Sequence, residues 1–485
     1  SRDAMTTTPD GAPLDALRSL HDELWDPDRG MDRYAPGVTP GIDISSLGLH
    51  AVRETANGAF LDLQDGNVSR AVTALRSVLA LQYPVSDRPW SGTFPTSAEQ
   101  PDPPGDDAIE WVHYDPNWRQ FLGVTLALCT IVHGPSLPAD VTKGINDTLR
   151  RCVAGEPDDR IPRWYTNPYL MHAWLQGHVA VITGDRKLRA AAHSRLAVPM
   201  ERLLRYGDVD EYNSPTYDGI DLLALGLWAM YPPTEGFADA ASTMLPQIGA
   251  RMSKLYHRRL GTSCGPYIRA YGLDPTEYVS LSGLWYSVCG ESAAAVLPSP
   301  LVADTVHVHD LYFLVLLEHL APVITPHLRF DPVTDERHHV QRFRDSVAES
   351  LLRPDLAVGW DSGRRHQASL DQYVPFTAHI AEADGRTTAF GIMLDDDTAW
   401  VDVERVGDLD FVARAAGRAE SVGLRFVGGQ ARVGAPDRVT TGTVEVQFTD
   451  PPSSITESPT ATGSRLDVKW PSDRAEIRIT IADPR

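Results

Sequence analysis

The sequence is short of basic residues. It carries 44 lysine and arginine residues against 65 aspartate and glutamate residues, a formal net charge of −21 at pH 7 over 485 residues. Nucleic-acid-binding proteins need a basic surface that displaces counterions from phosphate, and this chain has the opposite sign. Anionic membrane surfaces repel an acidic chain for the same reason. We therefore expect neither a nucleic acid nor a membrane among its partners.

Cysteine is scarce as well. The four cysteines, Cys129, Cys152, Cys264 and Cys289, lie far apart and form no CxxC pair. Their spacing matches no zinc or iron–sulfur arrangement, so we predict no metal and no cofactor. Cys129 and Cys289 fall in apolar helical segments and are predicted to be small buried side chains.

Long apolar runs are also missing. No segment approaches the roughly 18 consecutive apolar residues of a membrane span. The N-terminal stretch SRDAMTTTPDGAPLD lacks the apolar core of a signal peptide. Because low cysteine use suits a reducing compartment, we expect a cytoplasmic protein, with a secreted chain that has lost its leader as the alternative. The sequence leaves the oligomeric state open.

Helical periodicity dominates the chain up to residue 335. Apolar residues recur at i, i+3, i+4 and i+7 in the following segments: 14–25, 47–63, 68–83, 118–132, 141–153, 168–182, 188–206, 220–231, 238–260, 278–290 and 309–320. Successive helix pairs form either an open solenoid, which needs a sequence repeat of fixed length, or a closed toroid. The lack of such a repeat and the long loops at 84–116, 206–218 and 261–277 favour an (α/α)6-type toroid.

The pattern changes to strands after residue 335. Segments such as VEVQF and IRITI alternate apolar and polar residues, so one face of each strand is predicted to be buried. Ala383-Asp384-Gly385 is a candidate hairpin turn, and the polar stretch 453–464 is predicted to be a loop. We predict a mainly α plus β protein, with a toroid over 1–335 and an antiparallel β-sandwich over 336–485.

Two polar loops precede helices in the first part of the chain. The segment WVHYDPNWRQF (111–121) holds Tyr114, Asp115, Asn117, Trp118 and Arg119. The segment RIPRWYTNPYLMHAW (160–174) places Tyr165, Asn167 and His172 near one helix start. Asp115 or Asn117 in the first loop, and Asn167 in the second, are also good helix caps, so a purely structural role stays open for each.

The densest polar loop is GDVDEYNSPTYDGID (207–221), directly before an apolar helix. It contains Asp210, Glu211, Tyr212, Asn213, Tyr217 and Asp218, and burying so many polar groups without partners costs about 1–3 kcal/mol each. We therefore predict a functional role for this loop. The segment CGPYIRAYGLDPTEY (264–278) adds Tyr267, Arg269 and Tyr271, where Arg269 offers a planar fork for a carboxylate.

These residues resemble a known group of enzymes. A helical toroid followed by a β-sandwich, with EYNSPTY (211–217) and NPYLMHAW (167–174) at the cleft loops, is similar to the (α/α)-toroid polysaccharide lyases of the heparinase II/III-like and alginate lyase groups. The β-region is small for the heparinase-like groups. The strong acidity also departs from an enzyme that binds a polyuronate, although Arg119, Arg163 and Arg269 can supply local positive potential.

The resemblance implies a carbohydrate-active enzyme that degrades a uronate-containing polysaccharide or oligosaccharide by β-elimination. It assigns Asn167 and His172 to neutralising the substrate carboxylate, Tyr217 or Tyr212 to acid/base work, and Arg269 to assistance. The remaining polar and aromatic residues are expected to bind substrate: Tyr114, Asn117, Trp118, Arg119, Tyr165, Asn213, Tyr267 and Tyr271.

Two other functions compete with elimination. The same kind of toroid hosts inverting glycoside hydrolases, for which Asp115, Asp210, Glu211 and Asp218 could supply the acid and the base. The acidic net charge suits a neutral sugar better than a polyuronate. A non-catalytic carbohydrate-binding protein is the third hypothesis; it explains the aromatic residues but not the dense polar loops.

Overall fold

A computed structural model describes residues 12–37, 49–365, 372–394, 399–417, 422–429, 431–460, 462–469 and 474–482. These residues form two compact units. Unit 1 comprises residues 1–200, 221–243 and 279–324, and unit 2 comprises 201–220, 244–278 and 325–485. Unit 2 therefore combines the strand-rich end of the chain with two earlier segments. The predicted contiguous boundary near residue 335 stays a prediction.

The predicted helices are confirmed, except that 188–206 is divided into two helices at Leu196, and the structure gives their bounds. The helices are α1 (Ala12–Leu24), α2 (Val52–Gln64), α3 (Val68–Leu79), α4 (Trp118–His133), α5 (Ala139–Ala154), α6 (Thr166–Thr183), α7 (Arg186–Arg195), α8 (Ala197–Tyr206), α9 (Asp218–Met230), α10 (Glu235–Leu255), α11 (Leu281–Val288), α12 (Ala293–Val296) and α13 (Leu314–Ile324). A 3₁₀ helix, Val308–Phe313, leads into α13.

Local sequence explains where one helix ends and the next begins. Gly184 takes the left-handed conformation, with φ of 70°, and terminates α6. Asp185 follows and caps α7, because its side chain accepts hydrogen bonds from the backbone N–H groups of Lys187 and Leu188. The chain thus reverses direction between two packed helices within two residues.

The inner helices of unit 1 pack side by side, beginning with α2, α4 and α6. The Thr125 hydroxyl of α4 donates a 2.8 Å hydrogen bond to the Asn57 side chain of α2. Gly123 of α4 lies against Leu175 of α6 so closely that an added Cβ would come within 2.6 Å of the leucine side chain. The helices α3, α5 and α7 pack outside their preceding partners.

The remaining contacts close this row of helices into a ring. The Trp228 indole of α9 donates to the Leu170 carbonyl of α6 at 3.1 Å. Gly226 of α9 faces Leu320 of α13, 3.3 Å from an added Cβ. Helix α13 in turn packs against α2. The circuit α2–α4–α6–α9–α13 confirms the predicted helical toroid.

The strands of unit 2 form two antiparallel sheets. The larger sheet has the order β18-β19-β14-β11-β10-β9-β8-β7, and the smaller has β12-β13-β20-β17-β16-β15. Their strands are β7 (Arg337–Arg342), β8 (Val347–Arg353), β9 (Leu356–Ser362), β10 (Phe376–Ala381), β11 (Thr387–Met393), β12 (Ala399–Arg405), β13 (Asp410–Gly417), β14 (Val422–Val427), β15 (Arg432–Ala435), β16 (Arg438–Thr441), β17 (Val444–Phe448), β18 (Ser454–Pro459), β19 (Gly463–Lys469) and β20 (Arg474–Ile481).

Aromatic side chains join the two sheets into the predicted sandwich. The ring of Phe411 on β13 lies 5.1 Å from Phe376 on β10 and 5.2 Å from Trp360 on β9. The alternation predicted for VEVQF is confirmed, since its burial alternates along β17. The predicted hairpin turn is also confirmed, with Gly385 at φ of 84° between β10 and β11.

The described residues also contain six short strands: β1 (Trp25–Asp26), β2 (Met31–Asp32), β3 (Phe94–Pro95), β4 (Tyr114–Asp115), β5 (Tyr256–His257) and β6 (Thr262–Ser263). They form three two-stranded sheets, β1 with β2, β3 with β4 and β5 with β6.

One loop prediction is wrong. Most of 453–464 was expected to be irregular, but Ser454–Pro459 forms β18 and pairs with β19. This strand lies at the edge of the larger sheet with mostly exposed side chains, so its polar composition carries no alternating pattern.

The cysteine prediction is correct for one of its two residues. Cys129 is buried, as are Cys152 and Cys264, whereas Cys289 is only partly buried after the end of α11. All four are free thiols.

One helical stretch, Val308–His327, reaches the length and apolar character of a membrane span, with a mean hydropathy of 1.3. The interior of the protein buries 61% of it, and the core helix of a globular protein meets the same criteria.

A glycine contact in unit 2 yields the first prediction. Gly359 on β9 has no room for a side chain, because an added Cβ would overlap the Gly265 carbonyl. Gly359→Ala is expected to reduce the free energy of unfolding by about 1–3 kcal/mol through overpacking. Gly434→Ala on exposed β15 is the control, since its Cβ meets nothing within 4 Å. Equal denaturation midpoints for the two variants would contradict this close approach.

Candidate functional site

A cluster of polar side chains surrounds Tyr217 in unit 2. The Arg269 guanidinium lies over the Tyr217 ring, 3.9 Å from its centroid. The Tyr217 hydroxyl is 2.8 Å from the Tyr271 hydroxyl. Arg269 also donates to Glu211 at 2.6 Å and to Gln372 at 2.9 Å. We call these five residues the tyrosine–arginine cluster.

Side-chain-to-backbone hydrogen bonds hold the two loops of this cluster together. The Asn213 amide donates to the carbonyls of Cys264 and Pro266, both at 2.8 Å. Asn213 adopts a left-handed φ of 52°, a conformation that asparagine tolerates better than most residues. The Ser214 hydroxyl donates to the Arg269 carbonyl and accepts from the Tyr217 N–H. Tyr217 and Arg269 are therefore fixed relative to each other by the backbone as well as by their side chains.

A buried ion-pair network stands at the start of α9. Arg251 of α10 pairs with Asp208 at 2.9 Å and also with Asp218, the first residue of α9. Burial raises the pKa of Asp218 to about 6, against the opposing effect of Arg251. Because both carboxylates share one guanidinium, this network anchors the helix that directly follows Tyr217.

The protonation state of Tyr217 follows from its surroundings. Burial raises its pKa well above 10, although the Arg269 charge acts in the opposite direction. The hydroxyl is therefore protonated at neutral pH in the free protein. Arg269 is placed to stabilise the phenolate whenever the proton leaves.

A second polar cluster lies in unit 1 and contains several other predicted residues. The Asn117 amide donates to the Tyr165 hydroxyl at 2.9 Å and accepts from Arg160 at 3.0 Å. Arg160 also donates to Glu156 at 2.8 Å. Tyr165 is only partly buried and stacks on Trp164, with ring centroids 5.8 Å apart. Asn117, Glu156, Arg160 and Tyr165 form the asparagine–arginine cluster.

His172 joins this cluster through Gln120. The Gln120 amide donates to Glu156 at 2.8 Å and lies 3.3 Å from the His172 Nδ1. Burial lowers the pKa of His172 to about 3, and the nearby Glu156 opposes this only in part. The imidazole is therefore neutral at pH 7 and can donate only one hydrogen bond at a time.

Arg119 is committed to the interior of unit 1. Its side chain is completely buried, donates to the carbonyls of Ser91, Pro116 and Pro89, and pairs with Glu156 at 3.3 Å. Such a side chain is positioned for stability. Of the three arginines expected to supply positive potential near a substrate, only Arg163 and Arg269 therefore stay candidates.

Four of the predicted aromatic residues are buried. Tyr212 is completely buried in the core of unit 2, and no described residue pairs with its hydroxyl. Tyr267 is completely buried and donates to the Ser263 carbonyl. Tyr114 and Trp118 are also buried. These placements favour packing for all four, and they favour Tyr217 over Tyr212 as the acid/base group.

Neither Asn117 nor Asn167 caps its helix through its side chain. Asn117 occupies the cap position of α4, yet its side chain makes no capping hydrogen bond and is used by Tyr165 and Arg160 instead. Asn167 is not the cap of α6, because the helix begins at Thr166 and Tyr165 precedes it. Asn167 is buried in the first turn.

The carboxylates of the hydrolase hypothesis have distinct partners. Glu211 is paired with Arg269, Asp218 with Arg251, and Asp210 with Arg202 at 3.2 Å. Burial raises the pKa of Asp210. Asp115 accepts from the Asn117 N–H at 2.8 Å, and burial raises its pKa to about 6.

Several residues of these clusters escaped sequence reasoning. They are Gln120, Glu156, Arg160, Arg251 and Gln372. Arg160 follows Glu156 by four residues, but both lie in a turn after α5, where the helical i,i+4 rule does not apply. Arg251 and Gln372 lie far along the chain from their partners, and no local pattern marks them.

The protein is thus of the mixed class that combines a helical toroid with an antiparallel β-sandwich. The chain belongs to the family described as "Domain of unknown function (DUF8769)", whose model matches residues 20–322. No curated protein matches the sequence.

Solved structures give distant likenesses. A mutant of the Streptomyces coelicolor A3 chondroitin AC lyase has a TM-score of 0.42 at 10% identity, over 99% of this chain and 80% of that one. The endoglucanase CelQ from Clostridium thermocellum, complexed with cellotetraose, has a TM-score of 0.31 at 11% identity, over 98% and 93%. A heparinase III gene product has a TM-score of 0.31 at 9% identity, over 99% and 93%.

The raised pKa of Asp115 yields the second prediction. An acid whose pKa rises on folding from 3.8 to about 6 binds its proton more tightly in the folded chain. The wild type should therefore gain stability from this group as the pH falls from about 6 to about 4. Asp115→Asn abolishes that gain, which denaturation curves between pH 7 and pH 4 measure. The control Asp159→Asn changes an exposed carboxyl and should follow the wild type. If Asp115→Asn also runs parallel to the wild type, folding does not raise the pKa of Asp115.

Proposed function

We propose that this protein is a carbohydrate-active enzyme that cleaves a uronate-containing polysaccharide or oligosaccharide by β-elimination. The observation that carries the proposal is the Arg269 guanidinium stacked 3.9 Å over Tyr217, whose hydroxyl meets that of Tyr271 at 2.8 Å. This arrangement holds a proton-transfer group beside a fixed positive charge. A positioned proton-transfer group and a nearby positive charge both lower the barrier to breaking a weakly acidic C–H bond.

The elimination needs a base, a neutraliser and an acid. The base removes the proton at C5, α to the uronate carboxylate; the electron pair forms the C4–C5 double bond and the C4–O bond breaks. The departing oxygen then takes a proton. Hydrogen-bond donors to the carboxylate lower the barrier because they stabilise the charge that develops there.

Tyr217 is the proposed acid/base group. Tyr217 first releases its hydroxyl proton to water, and Arg269 lowers the cost of the resulting phenolate, which then takes the proton from C5. After accepting the C5 proton, the regenerated hydroxyl donates it to the leaving oxygen. Tyr271 steadies the phenolate by donating its own hydroxyl hydrogen. Asn167 and His172 remain the proposed neutralisers of the carboxylate.

A hydrolase is the second candidate, and Asp115 favours it. A carboxyl whose pKa is raised to about 6 is suited to donate a proton to a glycosidic oxygen. The base would come from Asp210, Glu211 or Asp218. Glu211 and Asp218 are weaker candidates because each is buried together with its arginine, whereas the pair of Asp210 with Arg202 is partly exposed.

Substitution of Tyr217 yields the third prediction. Tyr217→Phe keeps the ring under Arg269 and removes only the hydroxyl. Turnover of the uronate glycan should fall by about 10²-fold or more, while the unfolding midpoint changes little. The measurement is the ultraviolet absorbance of the unsaturated uronate product over a panel of uronate-containing glycans. Tyr206→Phe, a partly buried tyrosine on α8 of the same unit, should retain activity.

The hydrolase candidate gives opposite results in the same assay. Reducing sugar would appear without ultraviolet absorbance, Tyr217→Phe would be mild, and Asp115→Asn or Asp210→Asn would abolish turnover. That outcome would refute elimination and support hydrolysis.

A further inference from the structure

His307, His309 and Asp310 come together in unit 1, just before and within the 3₁₀ helix that leads into α13. Each offers one ligand atom, and these atoms all lie within 4.8 Å of one another. His307 and Asp310 are buried, and His309 is partly buried. This His-Val-His-Asp run contains no cysteine, so the cysteine spacing gives no sign of it.

Both imidazoles approach the Asp310 carboxylate, each at a different oxygen, without forming a good hydrogen bond to it. The His307 Nδ1 lies 3.6 Å from the Asp310 Oδ2, and the His309 Nε2 lies 3.5 Å from the Asp310 Oδ1. A good N–H···O hydrogen bond is about 2.9 Å long. Bonds of about 2.0–2.1 Å from a tetrahedral zinc ion place neighbouring ligand atoms roughly 3.4 Å apart.

The charges around the cluster favour a cation. The Arg53 guanidinium interacts with three carboxylates, those of Glu54, Asp115 and Asp310. One positive charge thus faces three acidic groups. Glu54 is buried, and its Oε2 has no hydrogen-bond partner among the described residues.

Two further contacts fit a metal ligand set. The His309 Nδ1 is buried without a hydrogen-bond partner among the described residues. Arg53 donates to the Asp310 Oδ1 at 3.2 Å. A ligating carboxylate commonly accepts such an outer hydrogen bond, which orients it toward the metal.

We propose that His307, His309 and Asp310 bind one divalent transition-metal ion of the zinc class. Two imidazole nitrogens and one carboxylate oxygen match the ligands that such ions prefer, and hard cations such as Ca²⁺ and Mg²⁺ prefer all-oxygen sites. Water completes the coordination. The site is independent of the proposed elimination, because it includes none of the residues assigned to it.

Metal titration of the full chain tests the proposal. The protein, without a polyhistidine tag, is stripped with a chelator and titrated with Zn²⁺ by calorimetry and with Co²⁺ by visible absorption. We expect one equivalent bound with a dissociation constant in the micromolar range or tighter, and the strong d–d bands of tetrahedral cobalt. Absence of saturable binding in the wild type overturns the proposal.

Matched histidine variants locate the ion. His309→Gln should weaken zinc binding by about 100-fold or more, whereas His193→Gln, an exposed histidine on α7, should leave it unchanged. Equal affinity in the two variants would overturn the assignment. X-ray absorption of the zinc-loaded wild type serves if His309→Gln fails to fold: two imidazoles with oxygen support the site, and sulfur or fewer than two imidazoles overturn it.

Discussion

The contact between the Arg269 guanidinium and the Tyr217 ring is the interaction on which the candidate site depends. The guanidinium is buried, so its charge needs a carboxylate partner, and Glu211 provides one. Glu211 and Gln372 accept hydrogen bonds from its edge, and its flat face lies over Tyr217. A lysine could pair with the acid but could not present this planar face.

Buried charge pairing extends beyond this contact. Arg251 with its two aspartates, and Glu156 with Arg119 and Arg160, repeat the arrangement in different parts of the chain. Removing one partner of such a pair costs about 3–5 kcal/mol because the other charge stays buried. These networks therefore fix loop positions strongly while adding little net stability. They also explain how a chain with net charge −21 accommodates acidic residues in its interior.

The long loops and the lack of a fixed repeat predicted the toroid. Hydrophobic periodicity predicted the helices and several strands, because burial of one face imposes a period that is visible in the sequence. It missed β18, whose side chains are largely exposed. Sequence reasoning also placed Tyr217, Arg269 and Tyr271 in candidate loops. It could not find Arg251 or Gln372, since 103 residues separate Gln372 from Arg269 and only the tertiary fold joins them.

Unit 2 is assembled from three separate stretches of chain, 201–220, 244–278 and 325–485. During synthesis the first two stretches leave the ribosome well before the strands on which their core is completed. The helical ring can close earlier, since α13 ends at Ile324. The surroundings of Tyr217 and Arg269 are therefore completed only after the last third of the protein is made. Until then the incomplete unit 2 exposes apolar surface that favours aggregation.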